Sequence, residues 1–393
     1  MSREDTSAAA VPALADAVVI GAGPAGLAAA AELRRAGFAP LVFEEAQEVG
    51  SSWARHYDRL HLHTARTMSS LPGLVIPRTY GRWVARDDFR AYLRDYADHH
   101  RLDVRLGVTV TSVDQRDDGD WDIGWRSATS TGTIVTPLTV VATGYNHSRR
   151  VPRWPGLESY GGRVIHSSDY RNPAELGAHR VLVVGPGNSG SEIAADLAES
   201  GAVVQLSVRT PPNIVRRQVA GIPGQVLVLS ISPLSTAMGD RVARVLQRFT
   251  VGDLSRFGLP PAPRGVVTQM ERDDVTPTID VGLIAALRSG SVTVVPAVAS
   301  FTADSVTLAD GTEVLADAVI VATGFSRGLE ALVGALAVLA PSGRPLVNAA
   351  AQLPGRAGLY FLGYSNPLSG NIRQLKIDAR AIARHARRRI ART

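Results

Sequence analysis

The chain has 393 residues, of which 45% are hydrophobic and 20% charged, with a formal net charge of +6. That length suggests two or three domains, and the composition fits a globular protein with a sizeable core. There is no cysteine, which excludes structural disulfides, thiolate metal sites and an intrinsic thiol relay of electrons. No run of about 18 apolar residues is present, so no membrane span is expected. Met1 to Ala10 is small and polar without an apolar signal core, which reads as a flexible tail over 1–14 in a cytoplasmic protein.

Ala17 to Glu44 reads strand, glycine turn, helix, strand. Ala17-Val18-Val19-Ile20 is wholly apolar, as a strand buried on both faces should be. The turn Gly21-Ala22-Gly23-Pro24-Ala25-Gly26 follows, then a helix carrying Leu27, Ala30, Ala31 and Leu33 that stops at Gly37. The second strand, Leu41-Val42-Phe43, ends at Glu44, with Glu45 beside it. Val181 to Arg209 repeats this order. Val181 to Val184 is the strand, Gly185-Pro186-Gly187-Asn188-Ser189-Gly190 the turn, and Ile193, Ala194 and Leu197 line the helix. Val203 to Val208 form the second strand, ending at Arg209.

Each unit is a dinucleotide-binding fingerprint in its required strand-turn-helix context. The first glycine permits the tight turn, the second lets backbone approach a pyrophosphate, and the third lets helix and strand pack closely. The helix N-terminus then offers free N–H groups to the phosphates. Glu44 suits ribose hydroxyls and repels a 2′-phosphate, whereas Arg209 can fork onto one. The first site therefore suits FAD and the second NADPH. The bland reading of Arg209 is a surface arginine at a strand end.

Both halves continue through short strands. The first runs over Val108 to Val113, Trp121 to Trp125 and Thr133 to Val135 into Val140-Val141-Ala142-Thr143-Gly144. The second runs over Val292 to Val295 and Val306 to Leu308 into Val319-Ile320-Val321-Ala322-Thr323-Gly324. The expected fold is α/β, with two Rossmann-like dinucleotide-binding domains, each carrying a β-meander. The NADPH domain (151–324) is inserted into an FAD domain built from 15–150 and a return segment, 325–393. Trp53 reads as packing against FAD. Gly144, Thr323, Gly324 and Gly363 complete the expected cofactor contacts. Arg216 and Arg217 read equally as phosphate ligands or solvated loop cations. The apolar stretch Val219 to Met238, broken by Pro223 and Pro233, reads as a buried loop and helix, with a substrate entrance or dimer contact as alternatives. Arg373, Lys376, Arg380, Arg384, Arg387, Arg388, Arg389 and Arg392 read as the solvated face of a last helix rather than a nucleic-acid surface, because no nucleic-acid motif accompanies them.

Between the glycine turns lies Tyr160, Gly162, His166 and Tyr170. This pattern of aromatic-x-Gly-x-x-x-His-x-x-x-Tyr resembles the fingerprint of class B flavin monooxygenases. Over about Ala17 to Ser369 the chain is similar, more specifically, to YUCCA-type enzymes and their bacterial relatives. Gly50-Ser51-Ser52-Trp53, Tyr57 to His63, Gly187 to Gly190 and Asp280-Val281-Gly282 carry that likeness. Tyr160 stands where the fingerprint usually has Phe, and Tyr170 where Baeyer–Villiger relatives commonly have Trp. His63 stands where N- and S-oxygenating members often have Asn, and Gly363-Tyr364 lacks the FAD-binding Asp of many two-dinucleotide flavoproteins.

The resemblance implies that NADPH reduces FAD, that reduced flavin and O2 form a C4a-(hydro)peroxide, and that one oxygen atom enters a small organic substrate. YUCCA-like oxidative decarboxylation of a 2-oxo acid and N- or S-oxygenation are both open. It makes His63 a residue beside the flavin, against a plain pocket-wall reading. His166 either takes part in NADP⁺ movement or bridges the domains structurally. An NADPH oxidase or flavin reductase, a Baeyer–Villiger enzyme and a non-catalytic nucleotide-sensing regulator remain as alternatives. No metal is expected, and the chain is read as a monomer or homodimer.

Overall fold

The computed structural model describes residues 11–231, 234–365, 367 and 369–391. Met1 to Ala10 of the expected tail, Pro233 and Arg392 lie outside them. Two five-stranded sheets, parallel at every pairing, organise the chain. The first has the order Leu359–Phe361, Thr139–Val141, Ala17–Ile20, Pro40–Glu44, Asp103–Leu106. The second has the order Arg163–His166, Ala318–Val321, Arg180–Val184, Val203–Ser207, Val292–Val295. Ala17–Ile20 and Val181 to Val184 are buried throughout, which is why these strands carry no alternation.

The two sheets are built alike, with one difference in chain order. The strand completing the first comes from near the C-terminus, whereas the strand completing the second precedes its glycine turn. The chain crosses between the halves at Ser148–Arg149 and again at Phe325–Ser326, and these two segments pair antiparallel. After the second crossing it returns to the first sheet. Helix Asn371–Ile390 then packs along Pro24–Arg35, burying Ile372, Leu375, Ala379, Ile382, Ala383 and Ala386. Arg380 reaches Glu32 at 3.4 Å and Arg389 reaches the Pro137 carbonyl at 2.8 Å, so not every cation of this helix is merely solvated.

An antiparallel three-stranded meander accompanies each sheet. The first is Thr109–Gln115, Trp121–Arg126 and Thr131–Thr136. The second is Val298–Phe301, Val306–Leu308 and Glu313–Val314. Val292–Val295 is not part of it. That run pairs in parallel with Val203–Ser207 as the sheet's edge, the counterpart of Asp103–Leu106. A short apolar run does not reveal whether its neighbour is parallel or antiparallel, and Pro296 ends it before the meander starts.

Helix Pro24–Arg35 starts with proline in its first turn, continues through four alanines and ends on Arg34 and Arg35, which suit the C-terminal end of the dipole. Gly26 sets how closely it lies on the sheet. A Cβ there would stand 1.8 Å from the Gly21 carbonyl oxygen, and one at Gly190 would stand 1.9 Å from that of Gly185. Backbone on both sides leaves no flexible atom to yield. Gly26→Ala and Gly190→Ala should each lower stability by about 2 kcal/mol or more, read as the shift in denaturation midpoint. An unchanged midpoint would refute the close approach. No helix among the described residues is long and apolar enough to cross a membrane.

Candidate active site

The two glycine turns have the same local build. Gly21 and Gly185 take φ of 105° and 111°, and a Cβ on either would strike the carbonyl of Ala142 or Ala322 at 2.6 or 2.5 Å. The two Ala-Thr-Gly runs therefore close each half by lying against its first glycine. Gly23 and Gly187 are the helix N-caps, and neither helix start has a side-chain cap. A Cβ at either would meet nothing within 4 Å. Each helix thus presents uncapped N–H groups to open space beside a residue with no side chain, the cradle a pyrophosphate requires.

Around the first turn, Glu44 is buried and already holds the loop. One carboxylate oxygen accepts from the Ala22 N–H at 2.7 Å, and the other accepts from the Ala46 N–H at 3.0 Å and Ser51 Oγ at 3.2 Å. A carboxylate has about four acceptor positions, so capacity for a ribose hydroxyl remains. Glu45 is exposed. Gly144 and Gly363, both with positive φ, converge here. Tyr364, fully buried, ties its hydroxyl to Thr143, accepting from the N–H at 3.1 Å and lying 2.8 Å from Oγ1. Gly363 itself lies against Ala25, at the start of the helix. Trp53 sits between the two main cores, edge-on to Phe89 at 4.6 Å.

Around the second turn, the Asn188 side chain is occupied. Its Oδ1 accepts from Ile279 N–H at 2.7 Å and its Nδ2 donates to the Pro277 carbonyl at 3.2 Å, fastening strand Thr278–Asp280 over the turn. Its second Nδ2 proton and its backbone N–H remain for a phosphate. Thr323 Oγ1 donates to the Arg150 carbonyl. Arg209 needs a correction of register. Gly21 N–H donates to Phe43 O and Gly185 N–H to Ser207 O, so Phe43 matches Ser207 and Arg209 matches Glu45 rather than Glu44. The strand ends at Ser207, and the residue matching Glu44 is Val208. Arg209 is exposed beyond it.

Arg216 and Arg217 diverge. Arg216 pairs with the buried Asp280 at 2.6 Å and donates to the Thr250 carbonyl. Arg217 stacks its guanidinium over Trp83, 4.7 Å from the ring centroid, and burial lowers its pKa from the ordinary arginine value. Val219 to Met238 is not a buried stretch: Ile222, Val226, Leu234 and Met238 are all exposed, and its helix spans Gly224–Ile231.

Two sets of contacts join the halves between these turns, Glu192 with Tyr57 and His63 and Arg59 with Asp196 and Glu199, while the Tyr170 and His166 bonds lie within the second half. Glu192, on the buried side of helix Asn188–Glu199, accepts from Tyr57 OH at 2.8 Å, and the same oxygen lies 3.3 Å from His63 Nε2. Burial, then Glu192, pushes the Tyr57 pKa well above its ordinary value, so the hydroxyl remains a donor. Tyr170 OH donates to Asp196 at 2.7 Å, and Arg59 reaches both Asp196 and Glu199. His166, at the end of its strand, accepts the Ser168 N–H on Nδ1, which leaves the Nε2 proton for the Gly324 carbonyl at 3.2 Å. Burial holds its pKa below the usual imidazole range, so it is neutral at neutral pH. Its partners make it a brace on the second crossing segment.

Glu192, Asp196 and Tyr57 are absent from the sequence-derived site. The signal was two acids on the same helix, four residues apart, facing a segment rich in histidine and tyrosine. Glu192→Ala should remove the partner of Tyr57 and His63 and cost about 1.5–3 kcal/mol for each charge-assisted bond lost. Glu192→Gln, which keeps the acceptor for Tyr57, should cost clearly less. Chemical denaturation of the flavin-loaded protein measures both, and equal costs would rule out the charge-assisted bonds.

The two glycine turns and the joined halves give a mixed α/β protein with two like cradles of the kind a dinucleotide pyrophosphate requires. The profile of the "Flavin-binding monooxygenase-like" family matches residues 15–341. Indole-3-pyruvate monooxygenase YUCCA1 of Oryza sativa subsp. japonica is 33% identical over 354 residues, 89% of this chain and 86% of its own length. Probable indole-3-pyruvate monooxygenase YUCCA3 of Arabidopsis thaliana is 31% identical, over 88% of this chain and 82% of its own. Among solved structures, the flavin-containing monooxygenase from Stenotrophomonas maltophilia superposes with a TM-score of 0.74 at 26% identity, over 96% of this chain and all of that one. The chain belongs to the flavin-binding monooxygenase-like family. It is a flavin-dependent monooxygenase of the YUCCA/FMO type.

Proposed function

We propose that the turn Gly21 to Gly26 holds FAD, that the turn Gly185 to Gly190 holds NADPH, and that the enzyme inserts one atom of O2 into a small 2-oxo acid. The observation that carries the two-nucleotide reading is the pair of uncapped helix starts at Gly23 and Gly187, each facing open space. The substrate class is suggested by the relatives, which act on indole-3-pyruvate. In balance, a 2-oxo acid, O2, NADPH and one proton give the acid shortened by one carbon, CO2, NADP⁺ and water. Bound flavin supplies the hydride acceptance and the reaction with O2.

The chain's residues position and enclose. Glu44 anchors the first turn and offers its remaining acceptor capacity to a ribose. Arg209 takes the 2′-phosphate of the coenzyme. Glu192 binds Tyr57 and His63, fixing the segment after Trp53 against the second half and holding the His63 ring at the junction. His166 braces Gly324, where the chain crosses back. Arg217, over Trp83, offers a desolvated cation to an anionic group of coenzyme or substrate.

The test is turnover of the FAD-loaded enzyme with NADPH and isotopically heavy O2 against 2-oxo acids, amines, sulfides and ketones. One heavy oxygen should enter a carboxylic acid product with release of CO2. Peroxide matching NADPH consumption, with no oxygenated product anywhere in the panel, would make the protein an oxidase. A flavin that NADPH fails to bleach would make it a nucleotide-sensing regulator.

A further inference from the structure

Helix Thr236–Thr250 carries an apolar face that the fold does not use. Met238 is 44% exposed, Val242 36%, Val245 57%, Leu246 37% and Phe249 83%. At 3.6 residues per turn these five form one stripe about 100° wide, and it points to solvent. The opposite side is fastened inward. Gly239, Asp240 and Ala243 are buried, Asp240 accepts from the Val267 and Thr268 N–H groups, and Gln247 donates to the Ile214 carbonyl. The helix is thus held in place by one side while it displays the other.

The exposed charges that the helix itself carries have one sign. Arg241 and Arg248 are exposed along one border, Arg244 is exposed further round on the same flank, and the helix's one acid is the buried Asp240. The packed neighbour, helix Val266–Asp273, pairs neither of its acids with these arginines among the described residues. Its Glu271 accepts from Thr236 Oγ1 at 2.8 Å and its Asp273 pairs with Arg264. A second copy seated on this stripe about a twofold axis would bring arginine against arginine. A surface of negative charge over hydrocarbon matches both features at once.

We propose that the exposed face of Thr236–Thr250 lies in the surface of an anionic phospholipid bilayer, making the protein a peripheral membrane enzyme. Apolar side chains of such a helix sink roughly 5–10 Å into the boundary between headgroups and acyl chains. The arginines keep their guanidinium groups at the phosphates while their stems cover apolar surface. The inference is independent of the substrate assigned above.

Flotation of the FAD-loaded enzyme with vesicles of phosphatidylcholine alone, and of phosphatidylcholine with phosphatidylglycerol, tests it. The protein should float with the second kind and not the first, and added salt should release it. Phe249→Ser should lower partitioning about tenfold. Each of Arg241→Gln and Arg248→Gln should lower it roughly fivefold, and Arg244→Gln, further from the stripe, by less. Reduction of the flavin by NADPH should be unchanged in all of them, which shows that the fold is intact. Failure to bind phosphatidylglycerol vesicles, or equal binding to both kinds, would overturn the proposal. So would binding that survives Phe249→Ser undiminished, which would place the contact elsewhere on the basic surface. A dimer in solution that Phe249→Ser makes monomeric, without vesicle binding by either form, would identify the occupant as a second copy instead.

Discussion

Gly23→Val is expected to yield a folded protein that purifies without flavin. The residue caps helix Pro24–Arg35, with extended backbone that any residue adopts. A Cβ there meets no protein atom within 4 Å, so the added side chain starts into open space rather than into packed backbone. It occupies instead the space in front of the uncapped N–H groups, where the FAD pyrophosphate would lie. Losing two charge-assisted hydrogen bonds to a phosphate lowers affinity roughly a hundredfold or more. The ratio of flavin absorbance to protein should fall to near zero, while circular dichroism stays that of the parent. This sets Gly23 apart from Gly26, where even alanine strikes backbone and should cost stability first. A yellow, stoichiometric Gly23→Val protein would show that the first turn is not the flavin site. A variant that fails to fold would show that the open space is needed by the protein itself.

The elements that define this fold were legible because each is a local pattern with a steric cause. An apolar run, three glycines at fixed spacing and an alanine-rich helix appear twice, and both copies fold to the same contacts, down to Gly26 against the Gly21 carbonyl and Gly190 against that of Gly185. Partnerships between distant segments were less legible. Val292–Val295 joins the parallel sheet rather than the meander, since its composition suits either neighbour. Glu192 meets Tyr57 and His63 across more than a hundred residues of chain. Its role depends on how two halves dock, which no periodicity encodes. Asn188 ties the second turn to Ile279 and Pro277 as well, because the strand covering the turn brings backbone donors and acceptors that must be paired, a partnership its place in the glycine turn does not announce. The exposure of Val219 to Met238 was also unreadable: an apolar composition shows that a segment prefers not to face water, not what covers it.

The register correction at Arg209 sharpens what the second nucleotide site can read. Val208 matches Glu44, so the second half has no carboxylate at the position that would repel a 2′-phosphate. Arg209, one residue further and exposed, makes no ion pair or side-chain hydrogen bond among the described residues, so its guanidinium is available. A fork of two N–H groups onto a phosphate is worth more than neutral bonds, about 1.5–3 kcal/mol. Arg209→Ala should therefore raise the KM for NADPH roughly tenfold to a hundredfold. NADH has no 2′-phosphate and should be used almost as before, and the flavin content should stay intact, since Arg209 lies in the other half from Gly21 to Gly26. Val208→Glu is the converse change. It would set a carboxylate where Glu44 stands in the first half, and should disfavour NADPH by charge repulsion while sparing NADH. Steady-state kinetics with both coenzymes decide the matter. Equal losses for NADH and NADPH in Arg209→Ala would mean that the residue supports the loop rather than reading the phosphate.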